Sequence, residues 1–223
     1  MTTINLNSFL HLVFIGFIAL FPVVNPIGTA FILNPYFSDL TLKERRQATK
    51  RVVLYAFIIS TVTLIAGHWI LELFGLTVPI IQIAGGIMIC KIGWEFLSSD
   101  TPNNQEQTMA TPQPSKIDNL QDKLFYPITF PMTTGAGTIA VLFTLSAHSE
   151  AKTWPVYLVN LGALLLSIIG ICILIFFFFV NANHFINYMG SHSEKIVNRL
   201  SAFLIFCVGL QIAVEGIMHL IHG

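Results

Sequence analysis

Long runs of apolar residues without a charge are the feature that most restricts how this chain can fold. Six stretches approach or exceed the roughly 20 helical residues that cross the hydrocarbon core of a bilayer. Only 10% of the residues are charged and the mean hydropathy is +0.74, whereas a soluble domain carries roughly 25% charged residues. The sequence therefore predicts an all-α integral membrane protein in contact with the lipid bilayer. The predicted spans are residues 9–33, 52–74, 79–97, 125–147, 154–180 and 200–221.

The placement of the basic residues predicts the direction of these spans. Nine of the eleven lysines and arginines lie in the first, third and fifth connections, while Lys152 lies in the fourth and Lys91 inside the third span. Connections rich in Lys and Arg stay on the cytoplasmic side of a membrane. We therefore expect both termini to lie outside the cytoplasm, with three spans on either side of a polar cytoplasmic connector. The predicted units are residues 1–97, 98–124 and 125–223.

A short motif recurs in the first span of each half. The nine residues from Phe21 to Thr29 align with those from Phe130 to Thr138, with identical Phe, Pro, Gly and Thr. Pro26 aligns with Gly135, so both motifs have a helix-breaking residue at the same position. Three spans per half is an odd number, so the second half enters the membrane from the opposite face. The predicted fold is six transmembrane helices arranged as two inverted three-helix repeats with broken first helices, a common plan of secondary transporters.

The two motifs are the candidate binding site. Proline removes a backbone donor, and freed polar groups at membrane depth need protein, water or a ligand as partner. No charged side chain lies in either motif, which favours a small zwitterion or a Na⁺ ion over a strongly charged solute. We expect no catalytic residue, no metal site and no cofactor, with Na⁺ or H⁺ left open as a coupling ion. The candidate substrate-binding residues are Asn25, Pro26, Gly28, Thr29, Thr133, Thr134, Gly135, Gly137 and Thr138.

Lys91 and Glu95 lie four residues apart in the third span and therefore share one helical face. An ionisable residue inside a membrane is costly and is by default a candidate functional group. Two interpretations stay open, a structural ion pair near the cytoplasmic end and a role in gating or proton coupling. Gly85 and Gly86, in the same span, would admit either close helix packing or a ligand.

These residues resemble those of the MarC family, bacterial membrane proteins of the six-helix neutral amino acid transporter type that are distantly similar to LysE-type exporters. The resemblance is carried by Asn25-Pro-Ile-Gly28, Ala84-Gly-Gly-Ile87 and the stretch from Pro131 to Ile139. Where the family commonly has Gly-Pro-Gly, this chain has Gly135-Ala136-Gly137. The resemblance implies a multi-pass protein of the bacterial inner membrane, for which the charge distribution places both termini in the periplasm, and some relatives are similar to ion-driven carriers of neutral amino acids.

The leading functional hypothesis is a secondary transporter that moves small neutral amino acids or similar solutes by alternating access. The alternative is a structural or regulatory membrane protein that transports nothing. An enzyme is disfavoured because the chain has neither H-E-x-x-H nor G-x-S-x-G, and its three cysteines are isolated in sequence. The net charge of zero argues against a nucleic-acid partner, and a homo-oligomer is left open.

Overall fold

A computed structural model describes residues 6–98, 123–148 and 153–222, and all regular structure within these ranges is helical. Most of the predicted connector, 98–124, lies outside the described residues. Helix α5 is irregular, because Tyr126 and Phe130 inside it have extended backbone angles, and the other helices are of the ordinary α type. The helices are α1 Leu6–Val24, α2 Pro26–Phe37, α3 Leu42–Phe74, α4 Val78–Ser98, α5 Leu124–Thr133, α6 Ala136–His148 and α7 Trp154–His222.

Four segments of the described chain are long and apolar enough to cross a membrane, namely Leu6–Phe37, Leu42–Gly67, Trp154–Phe185 and Ala202–Ile221. The bent pair Leu124–Thr133 and Ala136–Ser146 makes a fifth if it is one span. Their outer faces carry large exposed apolar side chains such as Leu10, Phe14 and Ile18. Water-soluble proteins seldom expose so continuous an apolar surface, so lipid is its expected solvent.

Helix α7 contains two spans. Val24 borders one cavity together with Ile171 and another together with Ile205. A straight helix would hold these two isoleucines about 51 Å apart at 1.5 Å per residue. The helical run therefore changes direction between Trp154–Phe185 and Ala202–Ile221, which are the predicted fifth and sixth spans.

Helix α3 differs from the prediction at its first end. It begins at Leu42 rather than near residue 52, so most of the predicted first connection is helical. Its 33 residues would extend about 50 Å, against roughly 30 Å for the hydrocarbon core. A capping box explains the early start, because the backbone N–H of Thr41 donates to Glu44 Oε2 at 2.9 Å and Glu44 N donates to Thr41 Oγ1 at 3.4 Å.

Glycines bring α4 and the last span of α7 into backbone contact. A Cβ atom placed on Gly86 would lie 2.5 Å from the nitrogen of Ala213, and one on Gly209 would lie 2.6 Å from the nitrogen of Cys90. One on Gly93 would lie 2.6 Å from the nitrogen of Phe206. The partner of each residue moves back along α7 as α4 advances, so the two helices run antiparallel. Gly86 therefore serves helix packing, one of the two interpretations left open by its sequence.

Gly86→Ala should destabilise the protein. A methyl group at this position would overlap backbone atoms of α7, which forces the helices apart, and overpacking of this kind costs about 1–3 kcal/mol. Gly162→Ala is the matched control, because a Cβ atom there would meet nothing within 4 Å. Thermal unfolding in detergent should show a lower midpoint for Gly86→Ala and an unchanged or higher one for Gly162→Ala. Equal midpoints would contradict the close contact.

Candidate functional site

The first helix break is built around Asn25, between α1 and α2. Asn25 has φ 45° and ψ 60°, the left-handed conformation, and its side-chain Oδ1 accepts from the N–H of Gly28 at 3.1 Å. Pro26 occupies the first position of α2, where a missing N–H costs nothing. A Cβ atom on Gly28 would lie 2.3 Å from Asn25 Nδ2, so any larger residue there would displace the side chain that caps α2. The sequence Asn-Pro-Ile-Gly therefore ends one helix and caps the next.

The second break follows α5, at Thr134 and Gly135. The axes of α5 and α6 differ by 63°. Prolines 127 and 131 cannot donate backbone bonds within α5, and the N–H of Thr134 donates to the carbonyl of Thr129 at 2.7 Å, five residues back. The helix therefore breaks sharply with an alanine at position 136, between Gly135 and Gly137.

Threonine hydroxyls replace lost backbone donors at both breaks. Thr29 Oγ1 donates to the carbonyl of Val24 at 2.9 Å, because Gly28 N is engaged by the Asn25 side chain. Thr129 Oγ1 donates to the carbonyl of Leu124 at 2.6 Å, and Thr133 Oγ1 to that of Ile128 at 2.7 Å. An unsatisfied carbonyl in a dry environment would cost several kcal/mol. These threonines therefore stabilise the breaks themselves.

The two breaks meet at one cavity of about 80 Å³, called here the central cavity. This volume is well above the roughly 15 Å³ that a cavity needs to hold one water molecule. Helix α4 contributes Ile89 and the last span of α7 contributes Ile205. The lining residues are Val23, Val24, Asn25, Thr29, Ile32, Ile89, Pro131, Met132, Thr133, Gly135, Gly137, Thr138 and Ile205.

The polar groups of the central cavity are uncharged. Among the described residues no charged side chain lines it. No hydrogen bond of the Thr138 hydroxyl is seen in the described chain, and Gly135, which precedes α6, has no side chain that could cap it as Asn25 caps α2. A second cavity of about 10 Å³ touches Thr134, Thr138 and Ser60. Free donors beside an apolar wall can hold a small polar solute.

Six of the nine predicted binding residues line the central cavity, although no observation tests their binding. They are Asn25, Thr29, Thr133, Gly135, Gly137 and Thr138. Pro26 and Gly28 shape the first break instead, and Thr134 borders the smaller cavity. The apolar wall of Ile89 and Ile205 was missed, because an isoleucine that faces a cavity looks the same in sequence as one that faces lipid.

Lys91 and Glu95 lie outside the lining of the central cavity. Lys91 Nζ lies 3.8 Å from Glu95 Oε1, and the two side chains are 76% and 37% exposed. The geometry is that of an ion pair on the outer face of α4. Their role in gating or coupling stays a prediction.

Two comparisons with known sequences identify the same protein family. The profile of the MarC family integral membrane proteins matches residues 10–221. Inner membrane proteins named MarC from Escherichia coli K12 and from Shigella flexneri are each 25% identical to this chain over 214 residues, which cover 93% of this chain and 94% of theirs. No solved structure gives a significant match.

Asn25→Ala should be much less stable than Asn25→Gly. Alanine loses the cap on Gly28 and is strained in the left-handed conformation by roughly 1–2 kcal/mol, whereas glycine adopts that conformation freely. We expect the free energy of unfolding of Asn25→Ala to be about 2 kcal/mol lower than that of Asn25→Gly, measured by chemical denaturation in detergent. Equal stability of the two variants would show that residue 25 does not hold this conformation in solution.

Proposed function

The chain belongs to the MarC family of integral membrane proteins, and from this premise we propose that it is a multi-pass inner-membrane carrier of small neutral solutes. Amino acids are the solute class that the site favours. The single observation that carries the proposal is that two helix breaks, 109 residues apart in sequence, converge on one uncharged cavity. Broken helices around a midplane site are the plan on which many secondary transporters bind their solutes.

We further propose that the chain forms six spans arranged as two inverted repeats, and reciprocal contacts support this arrangement. Gly86 packs against Ala213, and Gly209 packs against Cys90. Adding 123 to the residue numbers in α4 converts Gly86 into Gly209 and Cys90 into Ala213, so each contact is the counterpart of the other. The same offset relates the Gly93–Phe206 contact to the close approach of Gly216 to Ile83. Because α4 and the last span of α7 are equivalent and antiparallel, the two-fold axis that relates them is perpendicular to both helices. If the helices cross the bilayer, that axis lies in the membrane plane.

The other helices support the same repeat. Gly16 contacts Ser167, and their counterparts Phe125 and Tyr55 have ring centroids 5.6 Å apart. Equivalent residues differ in number by 109 in the first span of each half, and by 112 in the second span of each half.

A second pair of contacts follows the same offsets. Gly67 packs against Ser146 at one end of the bundle, and Phe179 packs against Phe37 at the other, with ring centroids 6.3 Å apart. Equivalent contacts at opposite ends are what an inverted repeat requires.

The central cavity offers complementary groups to an amino acid. The uncapped N–H groups at the start of α6 suit a carboxylate, since a helix N-terminus carries partial positive charge. Asn25 Oδ1 and the threonine oxygens can accept from an ammonium group or ligate Na⁺. Ile89 and Ile205 line the cavity and offer an apolar surface to a small side chain. A zwitterion satisfies both ends without a protein charge, so the proposal assigns the chain no catalytic step.

Transport would follow from relative rocking of the two halves. The glycine-rich interface between α4 and the last span of α7 joins the two halves and could serve as the hinge, called here the seam. The breaks face each other across the central cavity, so a small rotation at the seam would open one side and close the other. Alternating access of this kind needs no movement of the site itself.

Thr138→Val should reduce transport strongly without unfolding the protein. It removes an unpartnered hydroxyl from the central cavity, and a lost hydrogen bond to a charged group costs roughly 1.5–3 kcal/mol, or about tenfold or more in affinity. Thr144→Val, on the same helix but outside the cavity, is the matched control. The measurement is counterflow of labelled neutral amino acids in proteoliposomes, with and without Na⁺ and a pH gradient.

Two outcomes would count against transport through this site. Wild-type protein that is folded but moves no neutral amino acid under any gradient would favour a structural or regulatory role. Equal uptake by Thr138→Val and Thr144→Val would move the site away from the helix breaks.

The proposed orientation predicts that both termini face the periplasm. Alkaline phosphatase fused after Gly223 should be active in cells, because it folds only outside the cytoplasm, whereas a fusion after Arg51, which keeps the basic residues of the first connection, should be inactive. The reverse pattern, measured as phosphatase activity per amount of fusion protein, would overturn the orientation.

A further inference from the structure

Three hydroxyl side chains from separate parts of the chain line the cavity of about 10 Å³ beside the central cavity, called here the small cavity. Ser60 belongs to α3, Thr134 follows α5 and Thr138 belongs to α6. All three residues are buried, with 8%, 2% and 2% of their surface exposed. About 10 Å³ is the smallest volume that holds one water molecule, so the small cavity has room for one water or one small ion.

These three hydroxyls differ from the other buried hydroxyls of the protein. Thr29 donates to a carbonyl at the first break, and Thr61, next to Ser60, is unbonded but sealed among other atoms. The described chain shows no hydrogen bond of the Ser60, Thr134 or Thr138 hydroxyl, and each of these residues borders an open space. Their oxygens are therefore left for a ligand in the small cavity.

The surroundings of the small cavity favour a monovalent cation. Helix α1 ends at Val24, which lines the small cavity. The last carbonyls of a helix lack helical donors and carry partial negative charge. Hydroxyl and carbonyl oxygens are the kind of ligand that hard cations take. No carboxylate of the described residues lines the small cavity, so a divalent ion would find no balancing charge there.

The small cavity adjoins the place proposed for the solute. Val24 and Thr138 line both the small cavity and the central cavity. Thr138 lies two residues after the start of α6, whose first N–H groups suit the carboxylate of a zwitterion. A cation in the small cavity would attract that carboxylate, and each ligand would raise the affinity of the other by the same factor.

We propose that the small cavity is a Na⁺ site whose occupation is coupled to solute binding in the central cavity. The ion, which is smaller than a water molecule, is held by the hydroxyl oxygens of Ser60, Thr134 and Thr138. The carbonyl end of α1 and water in the adjoining central cavity complete its coordination. The coupling rests on the proposed carrier function, whereas the binding of the ion does not.

A proton is the alternative coupling ion, and it lacks a suitable carrier in this region. Among the described residues, neither a histidine nor a carboxylate lines the small or the central cavity. Histidine is the side chain that ordinarily titrates between pH 5 and 8, and serine and threonine hydroxyls do not titrate there. The chemistry of both cavities therefore favours Na⁺.

The test is thermal unfolding of the full-length protein in a neutral detergent without any amino acid. Choline, a bulky cation, is replaced stepwise at constant ionic strength by Na⁺ in one arm and by K⁺ in the other. The wild-type midpoint should rise and saturate with Na⁺, because a ligand that binds only the native state stabilises it. A midpoint independent of Na⁺ means that the small cavity holds only water and overturns the proposal, and so does an equal rise with K⁺.

Two variants locate the effect. Ser60→Ala and Thr134→Val each remove one oxygen ligand, which should raise the apparent dissociation constant for Na⁺ about tenfold or more. Thr61→Val is the matched control, because it removes an unbonded hydroxyl from the next position of α3, outside the small cavity. This control should respond to Na⁺ as wild type does. A wild-type response in both Ser60→Ala and Thr134→Val would move the ion to another place.

Counterflow of neutral amino acids in proteoliposomes separates this proposal from the carrier function. Stabilisation by Na⁺ without any uptake would contradict the carrier and leave the sodium site in place. Uptake that is independent of Na⁺, together with a flat midpoint, would overturn the sodium site and leave the carrier. Uptake that depends on Na⁺ and is weakened in Ser60→Ala but not in Thr61→Val would support both.

Discussion

The structure depends on how backbone polar groups are satisfied where two helices break away from water. A carbonyl without a donor costs several kcal/mol in a dry environment, so a broken helix survives only if other groups replace the missing bonds. Asn25 and three threonine hydroxyls supply them here. The chain can therefore interrupt a helix inside a membrane and leave the few remaining donors facing the central cavity.

The positions of both breaks could be predicted from sequence because their causes are local. Proline lacks a donor and glycine relaxes the backbone wherever they occur, so Pro26 and the pair Gly135 and Gly137 indicate breaks without knowledge of the fold. Helix α3 was predicted too short because its first turns are polar, and hydropathy detects only the apolar part of a helix. The capping box at Thr41 and Glu44 was the available sequence feature.

The apolar wall of the cavity and the burial of Arg45 depend on distant contacts and could not be predicted. Ile89 and Ile205 are ordinary members of apolar spans until packing turns them inward. Arg45 bonds a carbonyl 134 residues away in sequence. In the sequence it was one of five basic residues that indicated the cytoplasmic side. The number of spans also stays a prediction, because length and apolar composition identify four spans among the described residues, or five if the bent pair is one span.

The proposed repeat also shows where the two halves differ chemically. At one end of the bundle Phe37 packs on Phe179, beside the buried guanidinium of Arg45; at the equivalent place in the other half, small Gly67 and Ser146 are in contact. The counterpart of Arg45 is Tyr157, which has no permanent charge. Large aromatic rings and a bonded cation close an end more firmly than a glycine and a serine do. The two ends of the bundle are therefore closed by contacts of unequal strength. A carrier with this structure would at rest favour the state in which the more weakly packed end is open.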